Sequence, residues 1–365
     1  MTTLLYLFSF VLILSLVVIV HEGGHFFVAR LCGIQVEAFS IGFGKKLWSR
    51  VDKKGTEWRI CAVPLGGYVQ MLGDEDAAST KKSKRKLTDE EEKKTFFAQP
   101  VYKRAAVIFA GPFMNYVLAV VIFAAILATV GYPRIPAKVG QVIENSVAQN
   151  AGIQVGDLIL SVNGKKIEDF SDLKRAIVLG NYGQTIDLQI ERNGEVLNLS
   201  AKPELVGEDE VPQLGVVSEP IVEPSYKKYG IISAVGKAVE TVYQMNVDTF
   251  VYLKQIVTGK RKANDLRGPV GIAEASGDAA RGGWLSFILF LAQVSVGIGF
   301  VNLLPVPILD GGHLVFLLYE AIVRKPVSER VQNALLKVGM GLLIFLFCFT
   351  LFKDIPRVIG RVFGL

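Results

Sequence analysis

His21, Glu22 and His25 close an apolar run that begins near Leu4, in the stretch VVIVHEGGHFFVAR over residues 17–30. On a helix the two histidines stand one turn apart on a common face, so both imidazoles can reach one ion while the glutamate stays beside it. Two nitrogen ligands and an adjacent carboxylate base form the set a zinc hydrolase uses to activate water. A histidine in an apolar helix is more often a hydrogen-bonded core residue than a ligand. Here, however, the motif takes two of the three histidines in the chain, and ionisable groups at membrane depth are costly enough to imply a function and a partner.

A second polar cluster supplies that partner. In NLLPVPILDGGH, residues 302–313, two prolines and a glycine pair interrupt another apolar segment. Broken backbone at membrane depth is tolerated where it lines a protein cavity. Asp310 is then a natural third ligand, a carboxylate that would be expensive alone but gains a cation, leaving a fourth position for water. The plainer reading of Asp310 is a helix cap or a turn residue before glycine.

The elements that must position these groups are membrane helices. The chain has 365 residues, 51% of them hydrophobic, a mean hydropathy of +0.39 and a net charge of +6. This is too apolar for an ordinary soluble protein and predicts a multi-pass α-helical membrane protein. The basic residues cluster beside apolar spans, where topology and anionic lipid explain them without nucleic acid. Cys32, Cys61 and Cys348 are widely spaced and suggest neither disulfides nor a cysteine metal site.

About four spans are expected. The first is residues 1–30, which lacks the basic leader and the cleavage site of a signal peptide. The second is 102–131, the third 284–322 with the broken segment, and the fourth lies within 323–365, its core at 339–352. The loop 31–101 is rich in lysine and arginine, which places it in the cytoplasm and the N-terminus outside. Arg324, Lys325 and Arg330 agree. Lys353, Arg357 and Arg361 then fall outside, against the rule but outweighed. In this topology helix 1 and span 3 both run inward, which brings His25 and Asp310 to similar depth on the cytoplasmic side.

Within the loop, VEAFSIGFG and EWRICAVPLGGYVQM have strand composition and turn glycines. They form either an ordinary hairpin or, given Phe39, Ile41, Phe43, Trp48 and Trp58, a small β region at the membrane. Alternation along Val36, Phe39, Ile41 and Phe43 suggests a strand that could clamp an unwound substrate by β-addition. Residues 73–94 read as a charged linker. In the second span Pro112 and Asn115 are expected to pack near the metal helix.

Residues 132–205 are soluble in character. SVAQNAGIQVGDLILSVNG resembles the core of a PDZ domain, and strands VGQVI, ILSVNG, TIDLQIERNG and VLNLSAKP surround a short helix at residues 171–179. Such domains take peptide termini by strand addition; a domain that only obstructs access is the alternative. Residues 206–283 read as an acidic, proline-bearing linker, then one or two amphipathic helices over 231–257 and a glycine-rich stretch.

HEGGH, GPFMN, the PDZ-like core and NLLPVPILDGGH together resemble the site-2 protease family of zinc intramembrane proteases, particularly the bacterial regulator-of-sigma-E branch. That resemblance implies zinc on His21, His25 and Asp310, with Glu22 as catalytic base. It also implies a substrate-positioning segment around Asn302, including Pro305 and Pro307, and an early β loop that guides substrate. The substrates would be single-span proteins of the bacterial inner membrane, such as an anti-sigma factor or signal-peptide remnants. The PDZ-like domain would lie outside, meeting peptide C-termini or substrate ectodomains. Two PDZ domains are usual in that branch, and this chain has room for one. A tethered zinc peptidase acting on soluble substrates is disfavoured by the apolar flank of the motif. A non-catalytic PDZ scaffold is disfavoured by Glu22, which ligation does not need.

Overall fold

The fold was obtained as a computed structural model that describes residues 2–74, 87–133, 135–180, 184–206, 211–219, 226–261 and 268–363. Most of the charged linker, with Lys81, Lys82, Lys84, Arg85 and Lys86, lies outside the described residues, as do residues 207–210 and 220–225 of the acidic linker.

In chain order, helix α1 (Thr2–Leu31) leads to strands β1 (Val36–Val51) and β2 (Glu57–Met71), the short α2 (Asp89–Glu92) and the long α3 (Val101–Thr129). Next come β3 (Tyr132–Pro133), β4 (Val139–Val142), α4 (Val147–Asn150), β5 (Leu158–Val162), β6 (Lys165–Lys166) and α5 (Phe170–Arg175), which runs on into a π-helical turn over Ala176–Gly180. Strands β7 (Ile186–Arg192), β8 (Glu195–Ala201), β9 (Glu204–Val206), β10 (Val211–Gln213), β11 (Val216–Ser218) and β12 (Tyr226–Lys227) follow. Five helices are completed by α6 (Ile231–Val257), α7 (Pro269–Arg281), α8 (Trp284–Asn302), α9 (Asp310–Val323) and α10 (Glu329–Phe363).

These elements form two compact units, residues 1–123 with 267–365, and residues 124–266. Four helical stretches in the described residues are long and apolar enough to span a bilayer: Leu4–Leu31, Val101–Thr129, Trp284–Asn302 and Glu329–Asp354. The expected four spans are therefore present.

In the first unit, β1 and β2 build more than a hairpin. Val36 to Ile41 pair on one edge with Met71 to Gly67, while Ala38 to Ile41 pair on the other edge with Glu57 to Ile60, which in turn faces Trp48 to Val51. The outer residues of β2 therefore occupy two different positions in the sheet, and Pro64 to Gly67 is where the chain crosses between them. Gly66 makes that crossing at φ +124, a backbone angle that side-chain-bearing residues avoid. One face of the sheet joins Ile34, Val36, Phe39, Val69 and Met71 with Ala29, Phe96 and Val107 in a buried cluster. Arg30, in the last turn of α1, ties the helix to the sheet by donating to Asp52 and, at 2.8 Å, to Thr56 Oγ1. Burial works to raise the Asp52 pKa, but the bonds from Arg30, the Thr56 N–H, Trp58 and the Lys54 N–H outweigh it and hold the carboxyl well below the usual range.

The second unit has the PDZ-like arrangement: a sheet in the order β6-β5-β7-β8, a β4-β11 pair, and α5 over a core of Ile159, Leu173, Ile186, Leu188 and Ile190. The domain does not stop at residue 205 as the sequence reading has it. Leu214 is buried in the same core and β11 pairs with β4 from Val216↔Val142 to Ser218↔Val139. Three-residue strands carry too little alternation to stand out in a proline-bearing stretch.

Candidate metal centre

α1 is one unbroken helix through HEGGH, so His21 and His25, one turn apart, share a face as the sequence predicts. Gly24 lets α1 come close to α3: a Cβ there would strike Ala110 O and lie 2.9 Å from Met114 Cγ. Gly23, by contrast, has nothing within 4 Å of that position.

α3 then receives both imidazoles. His25 Nδ1 donates to the Val107 carbonyl at 2.8 Å, which fixes the tautomer and leaves the Nε2 lone pair free. His21 Nδ1 lies 3.1 Å from the Asn115 amide. Asn115 is fully buried and its Oδ1 has no partner with the amide as placed. Exchanging its O and N, which are nearly equal in size and shape, lets Oδ1 accept from His21 Nδ1–H and frees the His21 Nε2 lone pair as well. Between these two contacts Gly111 forms the floor, where a Cβ would collide with His25 Nε2 and approach His21 Nε2 to 2.9 Å.

The third group comes from a separate element. α8 ends at Asn302, the chain turns through Leu303 to Leu309 on short bonds such as Val306 N–H to Leu304 O at 2.7 Å, and α9 opens on Asp310. Gly311 and Gly312 let this turn fold back on itself, since a Cβ on either would meet the carbonyls of Leu303, Leu304 or Val306. Asp310 Oδ2 lies 3.1 Å from His21 Nε2 and 3.6 Å from His25 Nε2, and the two Nε2 atoms are 3.3 Å apart.

These separations test whether a metal fits. Bonds of about 2.0–2.1 Å to a tetrahedral ion place neighbouring ligand atoms about 3.3 Å apart, and the three observed edges straddle that value. Three ligand-type atoms lie within 4.8 Å of one another, and the Asp310 oxygen is buried with no hydrogen-bond donor of its own. The residues fit a zinc-sized ion held by three protein ligands.

Glu22 stands beside this triangle and is not part of it. Its carboxylate faces the Val69 backbone N–H, with His25, His21 and Asp310 as neighbours. A Cβ on Gly67 would lie 3.3 Å from Glu22 Cγ, so the β2 segment of residues 67–71 runs directly past the base.

The other expected site residues sit on the turn before Asp310 and in the sheet. Asn302 ends α8, partly exposed, and among the described residues its amide makes no side-chain hydrogen bond. Pro305 and Pro307 shape the turn. Val36, Phe39 and Ile41 lie inside the sheet, the first two buried, while Phe43 is exposed and stacks on Tyr68. Gly111 and the Val107 carbonyl were not legible as site groups. The spacing of Val107, Gly111 and Asn115 by four residues is the signal that could have revealed them.

A family model described as peptidase family M50 matches residues 9–346. The chain belongs to peptidase family M50. Among relatives of this M50 peptidase, a Mesorhizobium japonicum protein named provisionally as a zinc metalloprotease, mll0638, is 40% identical over 96% of the chain and 98% of its own length. Metalloprotease MmpA of Caulobacter vibrioides is 35% identical over 97% of the chain and 96% of its own length. Of solved structures, the PDZ domain of the SdrC-like protein of Listeria innocua aligns with 24% of the M50 chain and 96% of that domain, at 19% identity and a TM-score of 0.22.

Proposed function

We propose that the chain is a zinc-dependent intramembrane endopeptidase that cuts transmembrane segments of single-span proteins. The observation that carries the reading is the triangle of His21, His25 and Asp310 with Glu22 beside it, the histidines and Glu22 on a helix whose apolar length matches a bilayer. His21, His25 and Asp310 would hold the zinc, which when bound would supply an acidified water and a Lewis acid for the scissile carbonyl.

The chain's own groups do the rest. Glu22 takes the proton of the attacking water and returns it to the leaving nitrogen. Val107 and Asn115 hold the imidazoles in the ligating tautomer.

A helical substrate must unwind before its peptide bonds can reach the site. The clamp expected on residues 36–43 has to move, because Ala38 to Ile41 already have partners on both sides. Two strands are outermost among the described residues, 48–51 and 67–71; the one that passes Glu22 is 67–71, and an opened substrate segment adds there. Asn302 offers its amide to the substrate backbone, with Pro305 and Pro307 shaping that approach. The charge distribution argues for an inner-membrane protein with the metal site towards the cytoplasm and the PDZ-like unit outside. There it screens substrate ectodomains or takes peptide C-termini released by a prior cut.

The test uses wild type and Glu22→Gln in detergent, measuring zinc content and cleavage of a single-span model substrate. About one zinc in each protein with cleavage by wild type alone supports the reading. Equal cutting by the mutant refutes the role of Glu22. A zinc-free, inert wild type leaves the PDZ-bearing scaffold ahead.

A further inference from the structure

Arg104, Val107, Gly111 and Asn115 fall at spacings of three, four and four on α3 and so share one stripe of that helix. The last three reach the histidines. Arg104 reaches α9 instead: its Nη1 and Nη2 donate to Glu320 Oε2 and Oε1 at 3.1 and 2.5 Å, and its Nε donates to the Gln99 carbonyl at 3.0 Å. The two side chains are 12% and 18% exposed.

Both residues stand at the wrong helix end for their charge. Arg104 is in the first turn of α3, where the helix dipole disfavours a cation, and Glu320 is in the last turn of α9, where it disfavours an anion. Local rules alone would reverse them, so the reason for each is the other. Around the pair the two helices do not close on one another. A cavity of about 720 Å³ is lined there by Val101, Ala105, Leu314, Leu317 and Glu320 itself. The far end of α9 is thus held to α3 by a bidentate ion pair across an open cleft, while its near end is held by the folded turn before Asp310.

Glu320 lies ten residues beyond Asp310, about 15 Å along the helix axis. A rod pinned at one end alone can still rotate. A turn of about 20° would carry a carboxylate held about 5 Å off the axis through about 2 Å, which is large beside ligand separations of 3.1 to 3.6 Å.

We infer that Arg104 and Glu320 are positioning residues, a strut that sets the rotation and depth of α9 against α3 and so places Asp310 over the two histidines. This rests on the metal-centre reading and adds to it a control point remote from the ion.

The experiment is cobalt titration of the full-length protein in detergent, followed by its visible absorption, alongside kcat and KM for a single-span substrate with zinc. Arg104→Gln and Glu320→Gln should each weaken cobalt binding at least tenfold, shift the cobalt band and lower kcat with KM little changed. The exchange Arg104→Glu with Glu320→Arg restores the bond, suits both helix dipoles, and should recover most of the affinity and the band. Single variants that bind cobalt as wild type does, with an unshifted band, overturn the strut alone. So does an exchange that recovers nothing, because the pair would then serve general folding. A wild type that binds no cobalt overturns both the strut and the metal-centre reading beneath it.

Discussion

Gly111 contributes no functional group, yet its missing side chain is what lets two imidazoles turn towards one point. Gly111→Ala should therefore cost metal affinity through sterics alone, by about ten- to hundredfold, the range typical of changes just behind the ligands. Zinc competition with a chromophoric chelator would measure it. Gly23→Ala gives the contrast. Nothing stands near its Cβ position, and alanine is preferred to glycine inside a helix by about 0.5–1 kcal/mol, so metal affinity should hold while the melting temperature rises slightly. Asn115→Leu should fall with Gly111→Ala, since it removes the partner of His21 Nδ1; unchanged zinc affinity there would show that the ring orients itself. At this scale the sequence was generous. The grouping of His21, His25 and Asp310, with Glu22 proposed as base, was legible because two histidines one turn apart have few other uses in an apolar helix. Gly111 was not, because a glycine announces close approach without saying to what.

Between residue and element, the spans α1, α3 and α8 could be read from apolar length, and the β region from alternation and turn glycines. What escaped is pairing that depends on distant partners. Nothing in Val36 to Ile41 reveals that the strand is flanked on both sides, so the substrate clamp was expected on a segment whose edges are already paired. α7 was missed for a related reason: PVGIAEASGDAAR looks like a loop by propensity, and the helix exists because small residues let it lie against α1. A Cβ on Gly277 would run into the Tyr6 ring, and Tyr6 Oη donates to Asp278 at 2.7 Å. The edge assignment makes a prediction. Val69→Pro removes the N–H that faces Glu22 and should reduce cleavage of a single-span substrate at least tenfold while zinc content stays near one; full activity would return the substrate clamp to an open question.

In the β-rich unit, Arg192 clasps the buried Asp157 with two bonds of 2.8 Å. Burial raises the Asp157 pKa, but those bonds and the Gln154 N–H outweigh it, so the group titrates below its usual value. A carboxyl with a depressed folded pKa stabilises above its unfolded value, near 3.9, and loses that contribution as pH falls through the folded one. Asp157→Asn should thus melt several degrees below wild type at pH 7, and the gap should close on acidification below about pH 4. A gap that stays constant from pH 7 to pH 2 would assign the effect to packing.

Across the whole molecule, every group of the metal centre belongs to one compact unit, residues 1–123 with 267–365, and none to the other. Replacing residues 137–218 by a flexible glycine–serine linker should accordingly leave zinc stoichiometry intact while altering which substrates are cut. Loss of zinc on that replacement would show that the β-rich unit supports the site. The division also marks where sequence reading thins out: the PDZ-like core is visible from its turn residues, but the membership of β11 and α6 in the same unit emerges only from the assembled chain. The order in which the metal groups occur along the chain has a consequence in time. His21 and His25 are made almost first, and Asp310 follows 285 residues after His25. At about 5–20 residues per second of synthesis, roughly 15–60 s separate the first ligands from the last. For that interval a nascent chain threads into the membrane beside its neighbours with its cutting machinery incomplete, and the enzyme is harmless until nearly all of it has been built.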